Sequence, residues 1–186
     1  MFSALNNEGV SYYLQGDYQQ AIDCYRKASS VLKITNNYKG LGTIFSNIGM
    51  VYFEKGSYFK AIESLKQSVV YEDSAGNLAG EAASYGNLGV VYRTIKENSI
   101  ASEYYFKSLN IKKIIGDKKG ISNSLNNIGL IYYDKELYDQ AYKYFIQSLE
   151  ICEANDYKLE KATVIFNLGL ICMEIKDFKE AKKYFN

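Results

Sequence analysis

The stretch SNIGMVYFEKGSYFKAIESL, residues 46–65, decides the fold. Its Asn47 and Gly49 recur at intervals of forty residues, as Asn7, Asn87, Asn127 and Asn167 and as Gly9, Gly89, Gly129 and Gly169. Ala61 recurs in the same way, as Ala21, Ala101, Ala141 and Ala181. Three columns hold in every copy without an insertion or deletion. A fixed period of this size is the mark of stacked supersecondary units, each burying its apolar face on its neighbours. The repeats run at about 1–40, 41–80, 81–120, 121–160 and 161–186, the last one incomplete, and read as a single solenoid over 1–186.

Within the quoted copy, Ile44, Phe45, Ile48, Val51 and Tyr52 recur at steps of three and four and predict an amphipathic helix over roughly 40–55. Gly56-Ser57 is a turn. A second helix starts near Tyr58 with Ala61, Ile62, Leu65 and Val69 on one face. Thr35-Asn36-Asn37, Ser74-Ala75-Gly76-Asn77 and Gly116-Asp117 supply the breaks between copies. The chain has no proline and no useful strand alternation, so the class is all-α. Glycine inside a helix costs about 1 kcal/mol relative to alanine. Five such glycines call for a packing reason, and close approach of Gly on the first helix to Ala on the second is the simplest. The turn of the third copy, where Lys96, Glu97 and Asn98 replace Gly-Asp-Tyr, is less clearly marked. The fourth and fifth copies also lack the turn glycine.

The columns Asn47-Ile48-Gly49, Tyr52, Gly56, Tyr58, Ala61 and Ser68, and Asn7, Gly9, Tyr12, Gly16-Asp17-Tyr18, Ala21, Tyr25 and Ala28, resemble the tetratricopeptide repeat. The period exceeds the usual one of ~34 residues. It is similar to the longer branch seen in G-protein signalling modulators, kinesin light chains and bacterial peptide-sensing regulators. The resemblance implies a right-handed α-solenoid of stacked helix-turn-helix repeats whose first helices line a concave groove. It also implies that Ile48 and Val51, and their equivalents Leu88, Val91, Ile128, Ile131, Leu168 and Ile171, pack on the preceding repeat. The first copy has Glu8 and Ser11 there, which suits a terminal capping repeat and places Met1 at a true edge. The final helix begins near Phe178 and is short, so it either frays or belongs to a longer chain.

Carried onto this sequence, the groove is lined by Asn7, Asn47, Asn87, Asn127 and Asn167. Beside them stand an apolar row, Val10, Met50, Val90, Leu130 and Leu170, and a third row, Tyr13, Phe53, Arg93, Tyr133 and Met173. A turn ahead lie Ser3, Thr43, Ala83, Asn123 and Thr163. An asparagine amide carries two donors and an acceptor, so a row of them suits the backbone of an extended peptide. Alternatively, the row only ties neighbouring helices together. Arg93 is the sole strong cation in the three main rows, which disfavours capture of a peptide C-terminus. It suits one acidic partner side chain, or an internal pair with Glu54 or Asp134. The columns Tyr12, Tyr52, Tyr92, Tyr132 and Tyr18, Tyr58, Tyr138, Phe178 read as packing.

Composition narrows the function. Net charge is +1, and only Arg26 and Arg93 of the 22 basic residues are arginine. A nucleic-acid partner is therefore disfavoured. The chain contains no histidine, no phosphate-loop pattern and no nucleophile elbow, so it reads as a non-enzyme with no cofactor or metal. Cys24, Cys152 and Cys172 are too few and too widely spaced for a disulfide framework, and no secretory leader or membrane-length apolar run is present. A cytoplasmic location is expected. The leading function is a scaffold binding a protein or peptide in the groove. The alternatives are a peptide-sensing segment of a larger regulator, and self-association through the incomplete last repeat, where Tyr184 and Phe185 sit.

Overall fold

The structure, a computed structural model, describes residues 2–185, and all regular structure among them is helical. Five helix pairs follow in order: α1 (Phe2–Leu14) and α2 (Tyr18–Ile34), α3 (Tyr38–Glu54) and α4 (Tyr58–Ser74), α5 (Leu78–Thr94) and α6 (Asn98–Ile115), α7 (Lys118–Asp134) and α8 (Tyr138–Ala154), α9 (Lys158–Glu174) and α10 (Phe178–Phe185). The chain divides into two compact units, Met1–Tyr104 and Tyr105–Asn186, with the division inside α6. In the first unit each helix from α1 to α5 packs on the next, and α3 also touches α5. In the second unit α7, α8, α9 and α10 do the same, and α7 touches α9. First helices of adjacent repeats therefore meet directly within each unit.

All nine junctions are built alike. A residue in the left-handed region stands at Gly16, Asn36, Gly56, Gly76, Lys96, Gly116, Glu136, Asp156 and Lys176, with φ between 50° and 78°. The N–H of the next residue reaches back to the carbonyl five positions earlier, as in Asp17 to Tyr12 at 2.9 Å, Glu97 to Tyr92 at 2.9 Å and Asp177 to Cys172 at 2.8 Å. The left-handed residue itself donates to the carbonyl three before it, as in Gly56 to Phe53 at 2.8 Å. These two bonds make the Schellman closure, which satisfies the last carbonyls of a helix. The residue that completes it also starts the next helix. Asp17, Asn37, Asp117 and Asp177 accept at Oδ1 from the backbone N–H of Gln20, Gly40, Gly120 and Glu180, at 3.2, 2.8, 2.8 and 3.0 Å. The turns that lacked a sequence signal thus form in the same way, with Lys96, Glu136 and Lys176 adopting the left-handed conformation that glycine adopts freely.

The core follows the repeat. Ala21, Ala61, Ala101 and Ala141 are fully buried. Ile48, Val51, Leu88, Val91, Ile128, Ile131, Leu168 and Ile171 are buried, while Glu8 and Ser11 are exposed. The recurrent helix glycine does not chiefly face that alanine. A Cβ at Gly9 would lie 2.5 Å from the ring of Tyr25, at Gly129 2.5 Å from Phe145 and at Gly169 2.5 Å from Phe185. At Gly49 it would lie 2.7 Å from Leu65, with Ala61 O next at 3.3 Å. At these four glycines a large side chain sixteen residues on fills the space, and Tyr25 and Phe145 are almost wholly buried.

One buried group breaks the apolar pattern. Glu72 on α4 is only 2% exposed, and its carboxyl lies between Gly42 on α3 and Gly80 on α5. A Cβ at either glycine would come within 2.4 Å of Glu72 Cδ. Asn77 Nδ2 donates to Glu72 Oε2 at 2.6 Å. Burial pushes the carboxyl above its ordinary value of 4.5, with the Asn77 bond and Lys39 pulling the other way.

Two outcomes follow from this architecture. Glu136→Gly relieves a left-handed glutamate and should raise the unfolding free energy by about 1 kcal/mol in urea denaturation, whereas Gly56→Ala should lower it by a similar amount. A carboxyl whose folded pKa is raised contributes stability below its unfolded pKa and loses it as pH rises through the folded pKa. Glu72→Gln should therefore be more stable than wild type at pH 8, with the gap closing as pH falls through the raised folded pKa and closed by the ordinary value of 4.5; a gap that widens on acidification would contradict the reading.

Candidate binding face

The first helices α1, α3, α5, α7 and α9 carry the three rows singled out in the sequence. Three of the five asparagines are tied to the first helix of the repeat before. Asn47 Nδ2 donates to Asn6 Oδ1 at 3.0 Å, and Asn87 Nδ2 donates to Ser46 Oγ at 3.3 Å. In the second unit Asn167 Nδ2 donates to Asn126 Oδ1 at 2.8 Å. Each bond spans one repeat plus one residue. The acceptor row, Asn6, Ser46 and Asn126, lies directly before the asparagine row and was not singled out in the sequence. A polar residue at that position in three copies was its only signal, and Gly86 and Phe166 interrupt it.

Burial separates the five asparagines. Asn7 is exposed, Asn47, Asn87 and Asn127 are half-buried, and Asn167 is buried at 6% exposure. Asn167 and its acceptor Asn126 thus form a buried polar pair between α7 and α9, where an unmatched amide would be expensive. In Asn47 and Asn87 the inter-helix bond occupies one of two amide hydrogens.

Beside this row, Met50, Val90, Leu130 and Leu170 are half-buried, and Val10 is 36% exposed. The third row packs against the turn aromatics. Tyr13 and Tyr18 have ring centroids 6.1 Å apart, Phe53 and Tyr58 5.9 Å, and Tyr133 and Tyr138 5.7 Å. All six residues are half-buried. Tyr133 Oη donates to Glu174 Oε1 at 3.0 Å, and burial together with that carboxylate raises its pKa to about 12. Burial and the charge of Glu54 likewise raise Tyr13. Arg93 is half-buried in the same row, and Met173 is 46% exposed. The remaining tyrosine columns stack in the body of each unit, as in Tyr92 on Tyr104 at 5.4 Å and Tyr132 on Tyr144 at 5.2 Å.

The face offers amide, aliphatic and aromatic groups, with one arginine and without an organised acid–base pair. Cys24, Cys152 and Cys172 are buried free thiols. Among the described residues no group of three or more Cys, Asp or Glu is placed to hold a metal ion, and no helix is long and apolar enough to cross a membrane.

Helix pairs of fixed period, joined by identical turns and bonded first helix to first helix, define the class of helical repeat proteins. The tetratricopeptide repeat model matches residues 1–69, 40–114 and 120–186, and the chain belongs to that family. Solved structures agree on the fold. BtubC (BKLC) from P. vanneervenii superposes with a TM-score of 0.85 at 20% identity, over 95% of this chain and 73% of that one. The apo form of RapI gives a TM-score of 0.87 at 20% identity, over 99% of this chain and 67% of that one. The Rap conjugation gene regulator of plasmid pLS20, solved in complex with the Phr* peptide, gives 0.79 at 18% identity over 99% of this chain. This chain spans 51% of that regulator's length. No curated protein matches by sequence.

The buried pair makes a clear demand on stability. Asn167→Ala strands the Asn126 amide and should cost about 1–3 kcal/mol in chemical denaturation, while exposed Asn7→Ala should stay within about 0.5 kcal/mol of wild type. Equal effects at the two positions would contradict a structural role for Asn167.

Proposed function

We propose that the chain is a protein-interaction scaffold whose first-helix face holds an extended or partly helical peptide segment. The observation that carries this is the half-buried state of Asn47, Asn87 and Asn127 beside the half-buried Met50, Val90 and Leu130. An amide that spends one hydrogen on the neighbouring helix is held in a fixed orientation, with its other N–H and its carbonyl suited to a peptide backbone. Fixing the amide beforehand lowers the ordering cost of binding. The aliphatic row and the open sides of Tyr13, Phe53 and Tyr133 then take side chains, and Arg93 takes an acidic one. Asn7 and Asn167 belong to the same row and mark its ends; Asn167, being buried, contributes through the helix packing it secures. The reading treats the five repeats as one non-enzymatic solenoid. Its family membership supports it, as does the peptide complex of the plasmid regulator.

A second reading is favoured by one observation. The chain matches half the length of that regulator. On this reading it is the peptide-receiving segment of a larger signalling or transcription-control protein.

The test is affinity capture with wild type and an Asn47→Ala/Asn87→Ala/Asn127→Ala variant side by side, read by mass spectrometry, with circular dichroism to match their helicity. A partner retained by wild type and weakened about tenfold or more in the variant is expected, since removing three hydrogen bonds of roughly 0.5–1.5 kcal/mol each accounts for that loss. Identical captures would remove the asparagine row from the binding face.

A further inference from the structure

The opposite side of each unit, formed by the second helices, carries a groove at the same register. In the first unit α2 and α4 form its walls and α3 its floor, with a volume of about 400 Å³. In the second unit α6 and α8 form the walls and α7 the floor, with a volume of about 510 Å³. The lining positions correspond at a separation of two repeats: Lys33 to Lys113, Tyr52 to Tyr132, Lys60 to Gln140, Glu63 to Lys143 and Gln67 to Gln147.

The two grooves differ in how their charges are settled. In the first, Arg26 lies 3.9 Å from Asp23 and donates to Tyr52 Oη at 3.3 Å. Lys60 sits over the Tyr52 ring at 5.6 Å, and Glu63 brings a carboxylate into the lining. In the second groove the counterpart of Arg26 is Phe106 and that of Glu63 is Lys143. Its lining holds two ammonium groups, Lys113 and Lys143, and no carboxylate. Both lysines are exposed, and neither has an ionic partner among the described residues. Other lysines of the same unit are paired, Lys119 with Glu160 at 2.7 Å and Lys161 with Glu153 at 2.8 Å. The same column carries Lys33, Asp73, Lys113 and Glu153, so the lysines fall in the two copies whose second helices form the first wall of a groove.

The rest of the second groove is suited to a polypeptide. Asn110, Gln140 and Gln147 line it with amides able to bond a backbone, and buried Leu109 on the α6 wall and Leu125 on the α7 floor give it an apolar base. An aromatic group joins both walls and the floor: Tyr132 on α7 stacks on Tyr144 of α8 at 5.2 Å, and Phe106 of α6 meets Tyr144 edge-on at 6.4 Å. Unpaired cations around an apolar floor are complementary to a segment that alternates carboxylates with aliphatic side chains.

We propose that this groove is a second interaction surface, on the side away from the asparagine row, and that its occupant is a short acidic polypeptide segment with aliphatic residues between its carboxylates. The first-unit groove, which sets the Glu63 carboxylate among its cations and has Arg26 at its edge beside Asp23, does not take that segment. The proposal is independent of peptide binding at the first-helix face.

The experiment titrates the nitrogen-labelled full chain with an acetylated and amidated hexapeptide alternating Glu and Leu, with its Gln/Leu counterpart, and with a short oligouridylate. The expected result is amide shifts centred on residues 110, 113, 143 and 147 with the acidic peptide alone. Affinity should drop about tenfold in Lys113→Glu/Lys143→Glu, because charge reversal at two exposed sites turns attraction into repulsion. Lys33→Glu/Lys60→Glu, which alters only the lining of the first groove, should bind within about twofold of wild type. All four sites are exposed, and unchanged spectra elsewhere show that the variants fold. The proposal is overturned by equal binding of the neutral peptide, by shifts spread over exposed lysines throughout the surface, by no shift at millimolar peptide, or by oligouridylate occupying the groove in place of the acidic peptide.

Discussion

The left-handed residue that closes each helix is the constraint on which the rest of the structure depends. It recurs every twenty residues, from Gly16 to Lys176, and each time the next residue both completes the closure and begins the following helix. A junction with no slack gives every full helix nearly the same length and returns each first helix to the same register. The spacing of the asparagine, aliphatic and aromatic rows is a consequence. So is the bond from Asn47 to Asn6 and its counterparts, which require successive first helices to be offset by a constant amount. Where glycine is absent the conformation persists at a modest local cost, because the helices on either side are held by burial of the alanine and aliphatic columns.

Much of this was legible in the residues. Ile48, Val51 and their equivalents fall inside the core, and the Glu8 and Ser11 substitutions fall outside it. Helix starts at Tyr58 and Phe178 stand where the periodicity puts them. Three features were not legible, each for a physical reason. Lys96, Glu136 and Lys176 look like ordinary surface residues, since a left-handed backbone imposed by two neighbouring helices needs no glycine. The partner of the helix glycine is a large side chain one helix away, and its identity varies among Tyr25, Leu65, Phe145 and Phe185, so no single letter marks the column. The acceptors of the asparagine amides vary in the same manner between asparagine and serine.

The proposed function asks one row to serve both structure and recognition. Tethering an amide to the preceding helix does not consume it, and a tethered amide is a better ligand for a peptide backbone than a free one. Asn167 shows the limit, being so buried that only its packing role is available. The tyrosines follow the same division. Many stack inside the units, while Tyr13, Phe53 and Tyr133 rest on the turn aromatics Tyr18, Tyr58 and Tyr138. Glu72 illustrates a further use of glycine in this fold, where Gly42 and Gly80 leave room for a carboxyl between two first helices.

The most direct test of peptide recognition by the asparagine row observes the side-chain amides themselves. Selective labelling of asparagine Nδ2, followed by addition of a captured partner peptide, resolves each position separately. Shifts at Asn47, Asn87 and Asn127, with Asn167 unmoved, are the predicted result. Tight binding that leaves all three amides unperturbed would contradict it and confine the row to holding the repeats together.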